Sequence, residues 1–285
     1  MGTSQSSKGS PSGVPMVPPW VPDPPPPVPP PVPEEAVPQL PEIPTPEQVP
    51  EPTIPAPVDI DVPIPTAPAG RFRAANINLA AYARNSDRVA MRRGVGQYFS
   101  QGYGGGATAV RRFSGTVRTA DALYAALSGG AAALGIPEPN VDAGSSAQEI
   151  MDAVTEAVRP VDGTQDTESS RAAIQDALAE TLAQFPDADL TNLSEEQKEI
   201  AIERYVASDV YRRFSLDVGR TVITKAPNAV AGASRLKEVR EYVRETVSAA
   251  FRKIRTAGQR LGAGRVASIV RSALGEAIQV FEGYL

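Results

Sequence analysis

The stretch LKEVREYVRETVSAAFRKI, residues 236–254, decides the fold class. Its apolar residues recur every three or four positions, which places them along one face of an α-helix. They are Leu236, Val239, Val243, Val247, Ala250 and Ile254. Charged residues take the other face: Lys237, Arg240, Glu241 and Arg244. Because most of the stability of such a helix comes from packing its apolar face, the stretch predicts a body built of packed helices.

The last part of the chain repeats this pattern. Eight apolar residues share one helical face there: Val266, Ile269, Val270, Ala273, Leu274, Ala277, Ile278 and Phe281. The glycines from Gly258 to Gly264 predict the turn that separates this helix from the previous one.

Two serines mark further helix starts. Ser146 with Glu149, and Ser194 with Gln197, each fit a capping box, in which both side chains accept hydrogen bonds from exposed amides at a helix N-terminus. With three more periodic segments, the predicted helices cover 86–99, 107–128, 146–159, 168–184 and 194–218. No convincing strand alternation follows Arg71. The expected fold class is therefore all-α, a helical bundle of about seven helices.

The prolines divide the chain sharply, since 24 of the 29 lie in the first 68 positions. A run such as Asp23–Pro33 (DPPPPVPPPVP) lacks most amide donors and has φ fixed near the polyproline II value, so it forms neither helix nor sheet. We predict a disordered, acidic, proline-rich arm over 1–70 and an all-helical body over 71–285. Glycine, proline and asparagine concentrate at two points where the body would divide: 135–145 and 220–233.

The formal net charge of −5 conceals blocks of alternating sign. Residues 1–70 carry −7, 71–118 carry +8, 119–210 carry −14 and 211–285 carry +8. Two interpretations are open. Basic helices pack beside acidic ones within the fold, or the basic blocks contact an anionic partner such as nucleic acid.

Cysteine and histidine are both absent from the chain. Their absence excludes disulfides, Cys/His zinc sites and histidine-based nucleophilic sites, and no P-loop motif occurs. We expect no metal, no cofactor and an accessory protein rather than an enzyme. The start MGTSQSSKGS lacks the apolar region of a secretory signal, and no stretch suits a membrane span. We therefore expect a cytoplasmic protein without membrane attachment.

A glycine-rich segment resembles a nucleotide-binding motif. Gly102, Gly104 and Ala107 match G-x-G-x-x-[GA], which requires a preceding strand, whereas the preceding residues are predicted to be helical. We favour a turn between helices. Four arginines flank the segment, which leaves an anion-binding or partner-binding surface as a hypothesis: Arg92, Arg93, Arg111 and Arg112.

Carboxylates also recur at helical spacing, at Glu195, Glu199 and Glu203. Paired acids can transfer protons or bind metal, but these residues stand opposite the apolar face of their helix. We expect them to be solvated surface.

The arm offers two kinds of contact. Gly2 follows Met1, and a small second residue normally permits methionine removal, which exposes a modifiable glycine amine; the pattern M-G-x-x-x-[ST] also fits myristoylation. An ordinary protein start is the alternative. The P-x-x-P segments suit aromatic-lined grooves of SH3-like or WW-like partners, with Pro18, Pro19 and Trp20 as anchors, and a stiff spacer is the alternative.

Several short motifs together resemble one protein family. They are MGTSQSS at the start, VPPW at 17–20, the proline arm, and the basic segment 84–113 with Tyr98, Gly102–Gly106 and Arg111-Arg112-Phe113. This combination resembles QatB, a component of the bacterial four-gene Qat anti-phage defence system, over the whole chain.

The resemblance implies partners and a role. It implies an ATPase, a QueC-like protein (QatC) and a TatD-like nuclease encoded alongside. QueC-like enzymes activate a 7-deazaguanine carboxylate with ATP, and defence relatives are associated with attaching the deazaguanine to a protein N-terminus. Carried onto this sequence, the acceptor is the Gly2 amine, presented by the arm while the body binds the QueC-like partner. The alternative is a proline-rich scaffold or nucleic-acid-binding adaptor that uses the basic segments.

Overall fold

The computed structural model describes residues 68–142 and 144–285. Within these residues there are ten α-helices and no strand, which confirms the all-α prediction. The helices are α1 (Arg73–Asn85), α2 (Arg88–Gln97), α3 (Gly106–Arg112), α4 (Ser114–Leu127), α5 (Ala147–Val158), α6 (Gln165–Gln184), α7 (Glu195–Phe214), α8 (Arg220–Lys225), α9 (Ala229–Thr256) and α10 (Val266–Glu282). Two π-helical turns, Tyr98–Gly102 and Ser215–Gly219, and a 3-10 turn, Ala131–Leu134, lie between them.

The long helix α9 buries the stripe that its sequence predicts. Val239, Val243, Val247, Ala250 and Ile254 are all buried, and Leu236 is partly buried against the same core. Each fully buried valine or isoleucine stabilises the fold by about 1.5–3 kcal/mol relative to an exposed one. The stripe packs against α7, α8 and α10, so α9 connects much of the body.

Helix α10 buries all eight residues of its predicted apolar face. It packs against α9, α4, α2 and α3. Its approach to α2 is close, because a Cβ added to Gly96 would stand 2.6 Å from the carbonyl oxygen of Phe281. A side chain at this position of α2 would therefore push the two helices apart.

At the centre, α7 packs against α6, α9 and α4. This packing encloses polar groups as well as apolar ones. Asp209 is fully buried, and its Oδ2 accepts hydrogen bonds from the Thr116 hydroxyl at 2.6 Å and from Nε of Arg213 at 3.0 Å. One charged carboxylate thus joins α4 to α7 inside the core.

The predicted helix boundaries around the two serines are confirmed. Both capping boxes form: the backbone N–H of Ser146 donates to Glu149 at 2.7 Å, and that of Ser194 donates to Gln197 at 2.8 Å. The turn between α9 and α10 is also as expected, and its Gly258 has the left-handed φ of +80° that glycine adopts without strain.

The structure differs from the sequence prediction in the number and extent of helices. Helix α1 was not predicted, since alanine and asparagine supply most of its residues and no side chain caps its start. The helix predicted over 107–128 is two helices that meet at Phe113. The helix predicted to end near 218 continues through the π-helical turn into α8, so Gly219 does not terminate it.

The chain separates into two units, Met1–Asp59 and Ile60–Leu285, and every described helix lies in the second. The predicted boundary at residue 70 and the predicted division of the body stay predictions. None of the helices described is long and apolar enough to cross a membrane.

Candidate partner-binding site

A groove of about 1020 Å³ lies between α1 and α8, and is called the α1–α8 groove below. A hydrogen bond from Thr221 to Asn76, of 2.7 Å, joins its two helices. Ile77 lines the groove and is 62% exposed, so the groove offers a large apolar side chain to a ligand. Its apolar lining is Pro68, Phe72, Ile77, Ala80 and Ala81, and its basic lining is Arg71, Arg73, Arg84 and Lys225. None of the described residues that line it is acidic. The groove therefore suits a ligand that is partly apolar and partly anionic.

An aromatic cluster lies behind one end of this groove. The Phe72 ring stacks on Tyr98 with centroids 5.3 Å apart, and the guanidinium of Arg71 lies 4.5 Å from the centroid of the Phe72 ring. Tyr98 in turn packs edge-on against Phe214 at 5.0 Å. The groove wall at Phe72 is thus fixed to the core by stacked rings.

The two π-helical turns meet at this cluster. Tyr98, in the first turn, and Tyr103, just after it, both donate hydrogen bonds to Oδ2 of Asp217 in the second turn, at 2.9 and 3.0 Å. Burial, together with the neighbouring Tyr103 and Asp217, raises the pKa of Tyr98 well above its ordinary value. Burial also raises the pKa of Tyr103, to about 12. Both phenols are therefore protonated donors at neutral pH and serve to hold the turns together.

The glycine-rich segment is the expected turn between helices and not a dinucleotide loop. A π-helical turn precedes it instead of a strand. The amide of Gly106, at the start of α3, donates to Glu282 Oε1 at 3.1 Å, so a carboxylate already occupies the place that a phosphate would take. Gly102 is required by packing, because a Cβ there would stand 2.5 Å from the Phe72 ring.

Arg92 and Arg93 are exposed on α2. The guanidinium of Arg92 lies 5.1 Å from the ring centroid of Tyr284 and 6.0 Å from that of Tyr242. Such cation–π contacts hold the guanidinium beside the rings, and the side chain as a whole stays exposed to a partner. Of the arginines proposed from the sequence, this pair is the more accessible.

Arg111 and Arg112, at the end of α3, are both half-buried. Arg112 donates to the carbonyl oxygen of Gly102 at 3.3 Å, so it stabilises the glycine turn. Arg92 contacts the aromatic rings near the C-terminal end, whereas Arg112 contacts the glycine turn, so the two pairs have different surroundings. Whether all four contribute to partner binding stays a prediction.

Ion pairs show where the charge blocks are balanced. Basic residues of 211–285 pair repeatedly with acids of 119–210, for example Arg240 with Glu180 at 2.9 Å and Arg212 with Asp176 at 2.8 Å. This supports the first interpretation for these two blocks, basic helices beside acidic ones. The 71–118 block differs: Arg88 pairs with Glu238, but the described residues provide no ion pair for four of its exposed arginines, Arg73, Arg84, Arg92 and Arg93. Their charge remains available to an anionic segment or partner.

The expectation that the α7 carboxylates are solvated was wrong for two of them. Glu195 is exposed, but Glu199 and Glu203 are each only 7% exposed. Arg255 donates to Glu203 at 3.0 Å, and Arg260 lies 3.6 Å from Glu199. Each buried acid is neutralised by an arginine that follows it by more than fifty residues, so the pairs are structural. No cluster of acids in the described part of the chain could hold a metal ion.

The remaining predicted contacts lie outside the described residues. They are Gly2, the candidate for modification, and Pro18, Pro19 and Trp20, the candidate anchors in the arm.

Comparison with known proteins yields one match. The family model of the Qat anti-phage system associated protein QatB matches residues 104–281. The match runs from the glycine turn to α10 and so covers more than half of the chain, whereas α1 and α2 precede it. No curated protein and no solved structure gives a significant match.

Proposed function

Since this chain belongs to the QatB family of Qat anti-phage defence components, we propose that it is a non-enzymatic member of that family. Its body binds a QueC-like protein, QatC, while its arm presents Gly2 for conjugation to a 7-deazaguanine. Family membership carries the proposal, because the resemblance implies a QueC-like partner. The arrangement of the chain supports it: Gly2 precedes the whole proline-rich segment, and such sequences act as semi-rigid spacers that reach many tens of ångströms.

The chemistry of the acceptor is simple. The partner supplies the 7-deazaguanine carboxyl group activated by ATP. The Gly2 amine attacks the activated carboxyl carbon, an amide bond forms, the activating group leaves with one carboxyl oxygen, and the amine loses a proton. An α-amine has a pKa of about 8, against about 10.4 for a lysine side chain, so it is neutral and nucleophilic far more often at pH 7. Gly2 is therefore a better acceptor than Lys8.

The proposed docking surface on the body is the exposed face of α2. Arg92 and Arg93 are exposed there and have no ion pair among the described residues. An acidic surface on the QueC-like partner would complement them and steer association. The family's ATPase and TatD-like nuclease are further proposed partners, and we propose that the assembly acts in the cytoplasm.

Intact mass of the full chain tests the conjugation. The chain is co-expressed with its QueC-like partner, and 7-deazaguanine carboxylate is supplied. We expect the mass of the Met-free polypeptide plus one amide-linked deazaguanine, with fragment ions that place the addition on Gly2. The control is Gly2→Leu, which retains Met1 and removes the glycine amine. An unmodified Met-free mass in the presence of active partner would refute the conjugation.

Affinity for the partner tests the docking surface separately. We expect Arg92→Glu with Arg93→Glu to weaken binding about tenfold or more, since charge reversal places like charges together. The matched control reverses two exposed charges on other helices, Arg271→Glu and Arg252→Glu. Equal loss in both double variants would mean that α2 is not the docking surface.

A nucleic-acid-binding adaptor is the second candidate. It is favoured by the exposed arginines of 71–118 that lack ion pairs among the described residues. Phosphate contacts release counterions, so binding would fall steeply with salt and would be lost with Arg92, Arg93, Arg111 and Arg112 changed to alanine. Binding that is insensitive to salt would exclude this candidate.

A further inference from the structure

We propose that the α1–α8 groove is an internal docking site and that its occupant is the chain's own segment Ile60–Ala67, IDVPIPTA. This would fix the base of the arm to the body and leave residues 1–59 to carry Gly2. The inference is independent of the conjugation, because it concerns only how the arm is attached.

The first argument is connectivity. Pro68 is itself part of the groove lining, so the chain enters the described structure at the edge of the groove. The N–H of Arg71 donates to the carbonyl oxygen of Pro68 at 3.3 Å, and Gly70 has φ of +70°. This is a β-turn with glycine at the position that requires positive φ. Because the turn folds the chain back at Pro68, the preceding residues need no further linker to reach the groove.

The second argument is length. Eight residues in a proline-rich, extended conformation span about 25 Å at about 3.1 Å each. The 13 residues of α1, which form one wall of the groove, span about 20 Å at about 1.5 Å each. The segment is therefore long enough to follow the groove from one end to the other.

The third argument is the match of apolar residues. Val62 and Ile64 each precede a proline, which restricts both to extended backbone. In an extended chain alternate residues share a face, so Ile60, Val62 and Ile64 lie together. The groove presents Ile77, 62% exposed, with Ala80 and Ala81 beside it. A nucleic acid would meet the basic groups of the groove but leave this apolar surface unmatched, so a peptide is the better fit.

The fourth argument is charge. Asp61 is the one charged residue of the segment, and the groove lining is basic, with no acidic residue among its described members. Arg73 and Arg84, on α1, have no ion pair among the described residues. Asp61 would supply one, and because Arg73 and Arg84 stand at opposite ends of α1, the carboxylate would fix the position of the segment along the groove.

Thiol labelling of the full chain tests the proposal, since the chain contains no cysteine. Ile77→Cys is compared with Val280→Cys, a position on α10 where the native side chain is 48% exposed. In an open groove the thiol of Ile77→Cys would react at least as fast as that of Val280→Cys. If the segment covers the groove and the open state is populated at about 10% or less, the groove thiol reacts about tenfold slower or more. Changing Ile60, Val62 and Ile64 together to serine, which removes the apolar match without adding charge, should restore its rate and leave the α10 thiol unaffected.

A cross-link identifies the occupant. Val62→Cys with Ile77→Cys should form an intramolecular disulfide at least about tenfold faster than Val62→Cys with Val280→Cys, because docking raises the local concentration of one thiol near the other. Three results would overturn the proposal: equal labelling of the groove and α10 thiols, protection of the groove thiol that the serine changes do not relieve, or cross-linked dimers instead of monomers. The last result would assign the groove to a second copy of the chain.

Discussion

Replacing Asp209 by asparagine tests whether a buried charge holds α4 and α7 together. Asparagine keeps the size of the side chain and an oxygen that can accept from Thr116. It removes the negative charge that balances Arg213, whose side chain is only 14% exposed. The variant thus isolates the charge from the packing.

The expected loss follows from the burial of Arg213. Burial by itself lowers the pKa of Arg213, but the charge and hydrogen bond of Asp209 outweigh it, and the pKa stays above the ordinary value. Without Asp209 the guanidinium keeps its proton, and the one acid left within ion-pair distance among the described residues is Asp166, 3.7 Å away. Because Asp166 is 68% exposed, it stabilises the buried charge only weakly. Leaving one partner of a buried pair uncompensated costs about 3–5 kcal/mol. For a body of this size, that lowers Tm by roughly 6–20 °C.

Denaturant unfolding followed by circular dichroism measures the loss. The control is Glu156→Gln, which removes a surface partner of Arg171 that is 58% exposed and should cost under about 1 kcal/mol. The double variant Asp209→Leu with Arg213→Met removes both charges and should recover much of the stability. If Asp209→Asn costs no more than Glu156→Gln, the reasoning about the buried pair is wrong.

Three further predictions concern the helices and their caps. Gly96→Ala should destabilise the fold by about 1–3 kcal/mol in the same unfolding assay, because the added Cβ meets the α10 backbone. Gly275→Ala should instead stabilise the fold by about 0.5–1 kcal/mol, because a Cβ there meets only a methyl group at 3.9 Å. Ser194→Ala should cost about 1 kcal/mol by removing the cap of α7, again read from the unfolding midpoint. Hydrogen bonds from the hydroxyls of Thr167 and Thr164 lower the pKa of Asp162 to about 2. The stability that these hydrogen bonds give the folded state is therefore present above about pH 4 and is lost as the pH falls toward 2. An NMR titration of the Asp162 carboxyl should show this midpoint, and Thr167→Val should raise it.

The sequence predicts those helices whose buried face is made of large apolar residues. Helices α9 and α10 are of this kind, and every residue assigned to the α10 face is buried. Helix α1 is not, because alanines such as Ala75 and Ala83 form much of its buried face, and so small a side chain marks an apolar face less clearly than a valine or leucine does.

The candidate site depends on contacts that local pattern does not contain. Tyr98 and Asp217 are far apart in sequence, and only the packing of α1, α8 and the two π-helical turns brings them together. The sequence predicts that Gly102 lies in a turn, but it does not show why glycine is needed there. Glycine is needed because the Phe72 ring, at the start of α1, packs against this position. Likewise the arginine that pairs with the buried Glu203 lies on α9, far along the chain.

The meeting of the two π-helical turns constrains the length of the chain as much as its composition. A π-helical turn is an α-helix that holds one residue too many, so deleting a single residue there would restore a regular helix. It would also rotate everything beyond by about 100°. A deletion of Ser215 or Leu216 would turn α8 away from α1 and separate Asp217 from both tyrosines, although it removes no residue of the groove itself. In this part of the molecule, a length change of one residue is therefore more damaging than most substitutions, and relatives that keep the groove should keep both extra residues.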